Sequence, residues 1–106
     1  MSNFRGDYSG VAYAHESKTS TTTATSPTAA TLTSGPTRCQ ALLVSFETVA
    51  ARYTIDGTTP VASGAGHPVA AGTTVLIVGE SNCANFKFIN DTGAGTTTAR
   101  ITFLRS

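Results

Sequence analysis

The sequence predicts an all-β fold, a small antiparallel β-sandwich or barrel with an extended Thr/Ser-rich N-terminal arm. Charged residues make up only 12% of the 106 residues, and Thr, Ser and Gly take their place. Thr is β-branched and suits a pleated, half-exposed surface. Short apolar or alternating segments also recur along the later part of the chain, separated by turn-forming residues and without a helical period of useful length. This succession is typical of antiparallel sandwiches and small barrels.

Five segments read as strands, and they place a β-sandwich domain over residues 38–106. Two of them are apolar on both faces, which predicts strands covered on both sides. The others alternate; in the last one, Ala99, Ile101 and Phe103 are expected to face inward. Five strands over about 70 residues give a marginal core, so either the N-terminal region contributes strands or copies of the chain share burial. The predicted strands are 38–46, 49–56, 73–79, 85–90 and 97–106.

Residues 1–37 differ in composition and form the expected arm. The stretch 17–37, SKTSTTTATSPTAATLTSGPT, holds Lys18 as its only charge and Leu32 as its largest apolar residue. It has little material for a core of its own, so it is either a linker or an arm that docks on another surface. The first fifteen residues favour the arm, because large side chains there would give contact area in a partner's pockets. The predicted partner-binding residues are Phe4, Tyr8, Val11 and Tyr13.

The stretch RYTIDGTTP, residues 52–60, is the clearest turn in the chain. Tyr53 and Ile55 are expected in the core, and Asp56-Gly57 is a strong turn signal, since Gly takes a positive φ and Asp can bond the backbone beyond it. Pro60 then blocks continuation of a paired strand. We therefore interpret Asp56 as a turn-forming residue rather than a catalytic acid. No nucleophile motif is recognisable, and we predict no catalytic residue.

Metal, cofactor, nucleic acid and membrane binding are not expected. Cys39 and Cys83 could pair, but they lack a CxxC spacing and no secretory signal is visible, so we interpret them as two small buried residues with free thiols. His15 and His67 lie in unrelated contexts, so no metal site is predicted. The net charge is +1 and the basic residues are dispersed, which does not favour nucleic acid or anionic membranes. Neither a signal peptide nor a membrane helix is recognisable.

Residues 51–103 resemble a recurrent type of small tailed-phage structural protein. The order of features carries the resemblance: an RYT-DG-TP turn, a GHP segment, then NFKFIN, a Gly/Thr turn and a closing ARITF strand. It implies a non-enzymatic capsid decoration or cement protein, made in the host cytoplasm and located on the phage head surface. The implied partners are the major capsid protein and further copies of the chain, with a homotrimer favoured over a dimer.

Two alternatives stay open. One is a tail, neck or fibre component of the virion with the same fold. The other is a carbohydrate-binding β-sandwich module, because RYTIDGTTP is similar to the turn of the chitobiase-type C-terminal module. The chain has no Trp, a residue expected on the carbohydrate-binding face of such a module.

Overall fold

The computed structural model describes residues 10–34, 38–92 and 94–105, and it confirms a small all-β fold. Two antiparallel sheets enclose one core. The helices are α1 (Ala29–Leu32) and α2 (Glu80–Asn85). The strands are β1 (Val11–Ser20), β2 (Ala41–Glu47), β3 (Ala51–Thr54), β4 (His67–Val69), β5 (Thr74–Val78), β6 (Lys87–Asn90) and β7 (Thr97–Arg105). The large sheet has the order β1-β7-β2-β5, and the small sheet has the order β4-β3-β6.

The five predicted strands correspond to β2, β3, β5, β6 and β7. β2 begins later than predicted and ends one residue later, at Glu47, and the other four are shorter than predicted. Ala99, Ile101 and Phe103 of β7 are fully buried, as their alternation predicted. They share the core with aromatic side chains of both sheets, where the rings of Phe46 of β2 and Phe88 of β6 lie 5.9 Å apart in an edge-on arrangement. Such edge-to-face pairs add to the stability that area burial provides.

The N-terminal region contributes a strand of its own. β1 pairs with β7 from Val11 to Ser20, with a bulge between Ala12 and Ala14. After a short excursion, Leu32 of α1 packs against the core. This is one of the two alternatives that the marginal core left open. Tyr13, Ala14 and Leu32, which belong to the expected arm, thus pack on the same core as the later strands.

The prediction that the segment 73–79 is a strand covered on both faces is wrong. β5 is the outermost strand of the large sheet. Ile77 faces the core and is 5% exposed, but Val78 is 45% exposed. The neighbouring β2 lies between β7 and β5, yet its Leu43 is only half-buried. β2 and β5 are apolar on both faces, but on the outer face of the sheet Leu43 and Leu76 are only partly buried and Val78 is exposed.

Candidate assembly surface

Three of the four sheet edges are blunted by devices that natural β-proteins use against uncontrolled pairing. β1 carries a bulge and the charged residues Glu16 and Lys18. β4 is three residues long and contains Pro68. β6 is capped by the chain that follows β1: the N–H groups of Thr25 and Phe88 donate to each other's carbonyl oxygens, at 2.8 and 2.9 Å.

The fourth edge, that of β5, has none of these devices. Its sequence is TVLIV, with no charge, no proline and four apolar side chains. β5 pairs in regular register with β2, from Thr74 opposite Ser45 to Val78 opposite Ala41. Among the described residues no strand pairs with its other side. An uncharged, regular edge of β-branched and aliphatic residues is a template for another strand.

The hydrogen-bond pattern shows which backbone groups this edge presents. Phe46 N–H donates to Thr73 O at 3.0 Å, and Gly79 N–H donates to Gln40 O at 2.8 Å. Because bonding alternates along an antiparallel pair, Val75 and Ile77 bond to β2. The N–H and C=O groups of Thr74, Leu76 and Val78 therefore point away from β2. Asn82 Nδ2 donates to Val78 O at 3.0 Å, so one of these groups already has a partner.

The outer face of the large sheet next to this edge is apolar at one end. The register places Ala41 between Val78 on one side and Leu104 on the other, and Leu43 beside Leu76. At the opposite end the same face is polar, with Arg100 Nε 3.3 Å from Glu47 Oε1. Ala41 itself is fully buried between these neighbours, so we call β5 together with the half-buried, outward-facing Leu43 and Leu104 the assembly surface.

The outer face of the small sheet is closed by contrast. Arg52 of β3 donates from Nε to Asp91 Oδ1 at 3.0 Å and from Nη2 to Asp91 Oδ2 at 3.2 Å. Its Nη1 donates to the carbonyl oxygen of Gly64 at 2.9 Å, and this holds the loop over the sheet. Ile89 lies opposite Arg52 and is only 7% exposed. The hydrogen bonds from the Arg52 guanidinium and from the Ser63 N–H hold the pKa of the Asp91 carboxyl below its usual range.

Asp56 forms the turn that the sequence predicted. Its Oδ1 accepts the N–H of Thr58 at 3.0 Å, and Gly57 has φ +92°. The bonds from Thr58 lower the pKa of Asp56. A cavity of about 330 Å³ opens beside this turn and is lined by Thr54, Ile55, Asp56, Thr58, Gly66 and His67. Its lining lacks the tyrosine and tryptophan rings on which sugars stack, so the cavity does not favour a carbohydrate site.

The predicted partner-binding residues fall in three different settings. Phe4 and Tyr8 lie outside the described residues. Val11 is 63% exposed at the start of β1. Tyr13 is occupied within the chain: its ring lies 6.1 Å from that of Phe103, and its hydroxyl donates to Thr31 O at 2.8 Å. Val11 is therefore the described member of this set that is available to a partner.

The search for metal sites and membrane-spanning helices covers only residues 10–34, 38–92 and 94–105. There, no group of three or more His, Cys, Asp or Glu side chains is arranged to hold a metal ion. None of the described helices has the length and apolar character needed to cross a membrane. Cys39 and Cys83 are buried free thiols, as predicted. Comparisons with protein-family models, with curated proteins and with solved structures found no match.

Proposed function

We propose that this chain is a non-enzymatic structural protein of a tailed-phage virion that binds and stabilises the capsid lattice. The resemblance of residues 51–103 to small phage structural proteins supports the setting. The structural observation that carries the proposal is the bare β5 edge beside an apolar sheet face. A protein that blunts three sheet edges and leaves the fourth ready to pair is suited to assembly.

In this proposal the β5 edge first pairs with β5 of a second copy of the chain. The outward N–H and C=O groups of Thr74, Leu76 and Val78 can bond to the same groups of an antiparallel copy, with Leu76 opposite its counterpart across a twofold axis. Val78 O would then accept a second bond beside the one from Asn82 Nδ2. The strand has no charge to repel its copy. This self-complementarity supports a dimer, where the sequence resemblance favoured a trimer. Pairing would join two four-stranded sheets into one of eight strands.

The second contact is with the major capsid protein. A pair of copies would present two apolar patches around Leu43 and Leu104 on one continuous face. It would also present two exposed Val11 side chains. Because the pair of copies makes two contacts, its apparent affinity for a capsid lattice with repeated sites is higher than that of a single copy. In this proposal Phe4, Tyr8 and Val11 bind the capsid protein, and their side chains supply contact area in its pockets.

Co-sedimentation with assembled phage heads from the same source tests the proposal, with bound copies per shell as the readout. We expect saturation at a number fixed by the lattice symmetry. Leu76→Lys should weaken binding, because it removes the bivalent pair. Val61→Lys adds the same charge at a residue that is 53% exposed and lies outside the assembly surface, so it should bind like the wild type.

Three outcomes count against parts of the proposal. If the wild-type chain does not bind heads, the capsid role must be abandoned in favour of a tail, neck or fibre component. If Leu76→Lys and Val61→Lys bind equally well, β5 has no part in the contact. A mass of three chains in solution would overturn the twofold pairing and restore the expected trimer.

A further inference from the structure

Two buried thiols lie against each other at the junction of β2 and α2. Cys39 is 1% exposed and Cys83 is 0% exposed, and both belong to one buried core cluster. The Gly79 N–H donates to Gln40 O at 2.8 Å and the Cys83 N–H donates to Gly79 O at 2.9 Å, which brings the start of α2 against the residue next to Cys39. Each sulfur also has a backbone partner: Cys39 Sγ is 3.1 Å from Ala41 O, and Cys83 Sγ is 3.7 Å from Ile77 O. They are the two cysteines of the sequence, and 44 positions separate them (83 − 39).

The two thiols differ in their access to small molecules. A cavity of about 180 Å³ is lined by Ala29, Leu32, Thr33, Arg38, Cys39, Glu80 and Ala84. Cys39 is part of its wall, whereas Cys83 is not. Arg38 and Glu80 stand among the lining residues as a loose ion pair, with Arg38 Nε 3.8 Å from Glu80 Oε1 and both side chains more than half exposed. A molecule the size of a peroxide can therefore approach Cys39 first.

The contact between the thiols also separates their acidities. The hydrogen bond from Cys83 lowers the pKa of Cys39, while the same contact and then burial raise the pKa of Cys83. The thiolate is the nucleophile in cysteine chemistry. Access and acidity thus point to the same member of the pair, Cys39, as the first to react.

We infer that Cys39 and Cys83 form an oxidation site at which a small peroxide converts the dithiol into an intramolecular disulfide. The Cys39 thiolate attacks one peroxide oxygen; a sulfur–oxygen bond forms, the oxygen–oxygen bond breaks and hydroxide leaves. The Cys83 thiolate then attacks the resulting sulfenic sulfur; the disulfide forms and the second oxygen leaves as hydroxide. Two protons from the thiols convert both hydroxides to water, so two thiols and one hydrogen peroxide give one disulfide and two water molecules.

The disulfide would tie α2 to the residues just before β2 and close a long loop that contains β2, β3, β4 and β5. Closing a loop of this length constrains the unfolded chain and raises the melting temperature of a small domain on the order of 10 °C. A protein that is made in a reducing cytoplasm and then released from it would form this disulfide when it meets an oxidant. The chemistry of the site itself does not depend on the proposed capsid role.

The test is to treat the reduced full-length protein with hydrogen peroxide, denature it, alkylate free thiols and measure its mass. We expect a monomeric chain that has lost two hydrogen atoms, takes up no alkylating reagent and melts at a higher temperature. Cys83→Ser should stop at the sulfenic acid on Cys39, which a dimedone reagent traps. Cys39→Ser should keep Cys83 reduced and open to alkylation.

Alkylation of both wild-type thiols after peroxide treatment would overturn the inference, as would a disulfide found only between chains. Equal oxidation of the two serine variants would contradict the assigned order of reaction. Circular dichroism of each variant shows whether it is folded. If either variant is unfolded, the wild-type mass and melting temperature still decide whether the disulfide forms.

Discussion

In the small sheet both edges and the outer face are protected from pairing with another strand, whereas the large sheet has an unprotected edge. In the small sheet, Thr25 caps the β6 edge, Pro68 shortens the β4 edge, and the Arg52–Asp91 pair closes the outer face. In the large sheet, no described strand pairs with the outer edge of β5, and Val78, Leu43 and Leu104 stay partly exposed. The proposed assembly role rests on this difference between the two sheets.

The largest effect is expected from Asn90→Ala in the small sheet. Asn90 is 1% exposed; its Nδ2 donates to the carbonyl oxygens of Ala94 and Gly95, both at 2.9 Å, and its Oδ1 accepts from Thr92. Removal leaves these groups without partners, and the free energy of unfolding should fall by about 3 kcal/mol. Chemical denaturation measures the change.

Asn82→Ala is the matched control beside the large sheet. Its amide makes one exposed bond, to Val78 O, so its loss should cost no more than about 1 kcal/mol. Equal losses in the two variants would contradict the distinction between a protected small sheet and a large sheet with an unprotected edge.

Leu76→Lys should separate the pair without unfolding the chain. Two lysines would face each other across the twofold axis, and the apolar contact would be lost, so the dimer should weaken by about a hundredfold. The free energy of unfolding should change by less than about 1 kcal/mol, since Leu76 is partly exposed. Sedimentation equilibrium gives the association constant, and Val61→Lys is the control of equal charge. An unchanged association constant for Leu76→Lys would remove β5 from the interface.

The smallest effect is expected at the outer faces, from Asp91→Asn compared with Glu47→Gln. The pKa of Asp91 is lower in the folded chain than the value near 4 expected when unfolded, so its stabilisation is present above about pH 4 and is lost as the pH falls through the folded pKa. Asp91→Asn should be less stable than the wild type by about 1 kcal/mol at neutral pH, and the gap should close in acid.

Glu47→Gln should change stability little at any pH, because its ion pair with Arg100 is about half exposed and exposed pairs contribute little. Thermal melts across the pH range measure both variants. A gap for Asp91→Asn that widens in acid would contradict the role of its charge.

The sequence predicted where most strands lie, but not which strands pair with each other. Alternation placed β7 correctly, because burial of Ala99, Ile101 and Phe103 is a local pattern. β1 was missed because its bulge at Ala12 to Ala14 interrupts the alternation. β4 was missed because three residues that include a proline give no strand signal.

The assembly surface could not be predicted because strand order is a long-range property. The run TVLIV looks the same whether a strand lies beside it or not, so β5 was expected to be covered on both faces. Only the order β1-β7-β2-β5 shows that it is an edge. The contact of Cys39 with Cys83 is hidden for the same reason, since it depends on how α2 returns to the start of β2.

Hydrogen exchange of the β5 amides, followed by NMR at increasing protein concentration, tests the central claim most directly. In the monomer, Val75 and Ile77 are bonded to β2, while the N–H groups of Thr74, Leu76 and Val78 face outward. The pairing we propose protects these three amides as concentration rises, and Leu76→Lys leaves them unprotected. If they exchange freely in a wild-type sample that is dimeric by sedimentation, the copies meet elsewhere and the β5 edge is not the assembly edge.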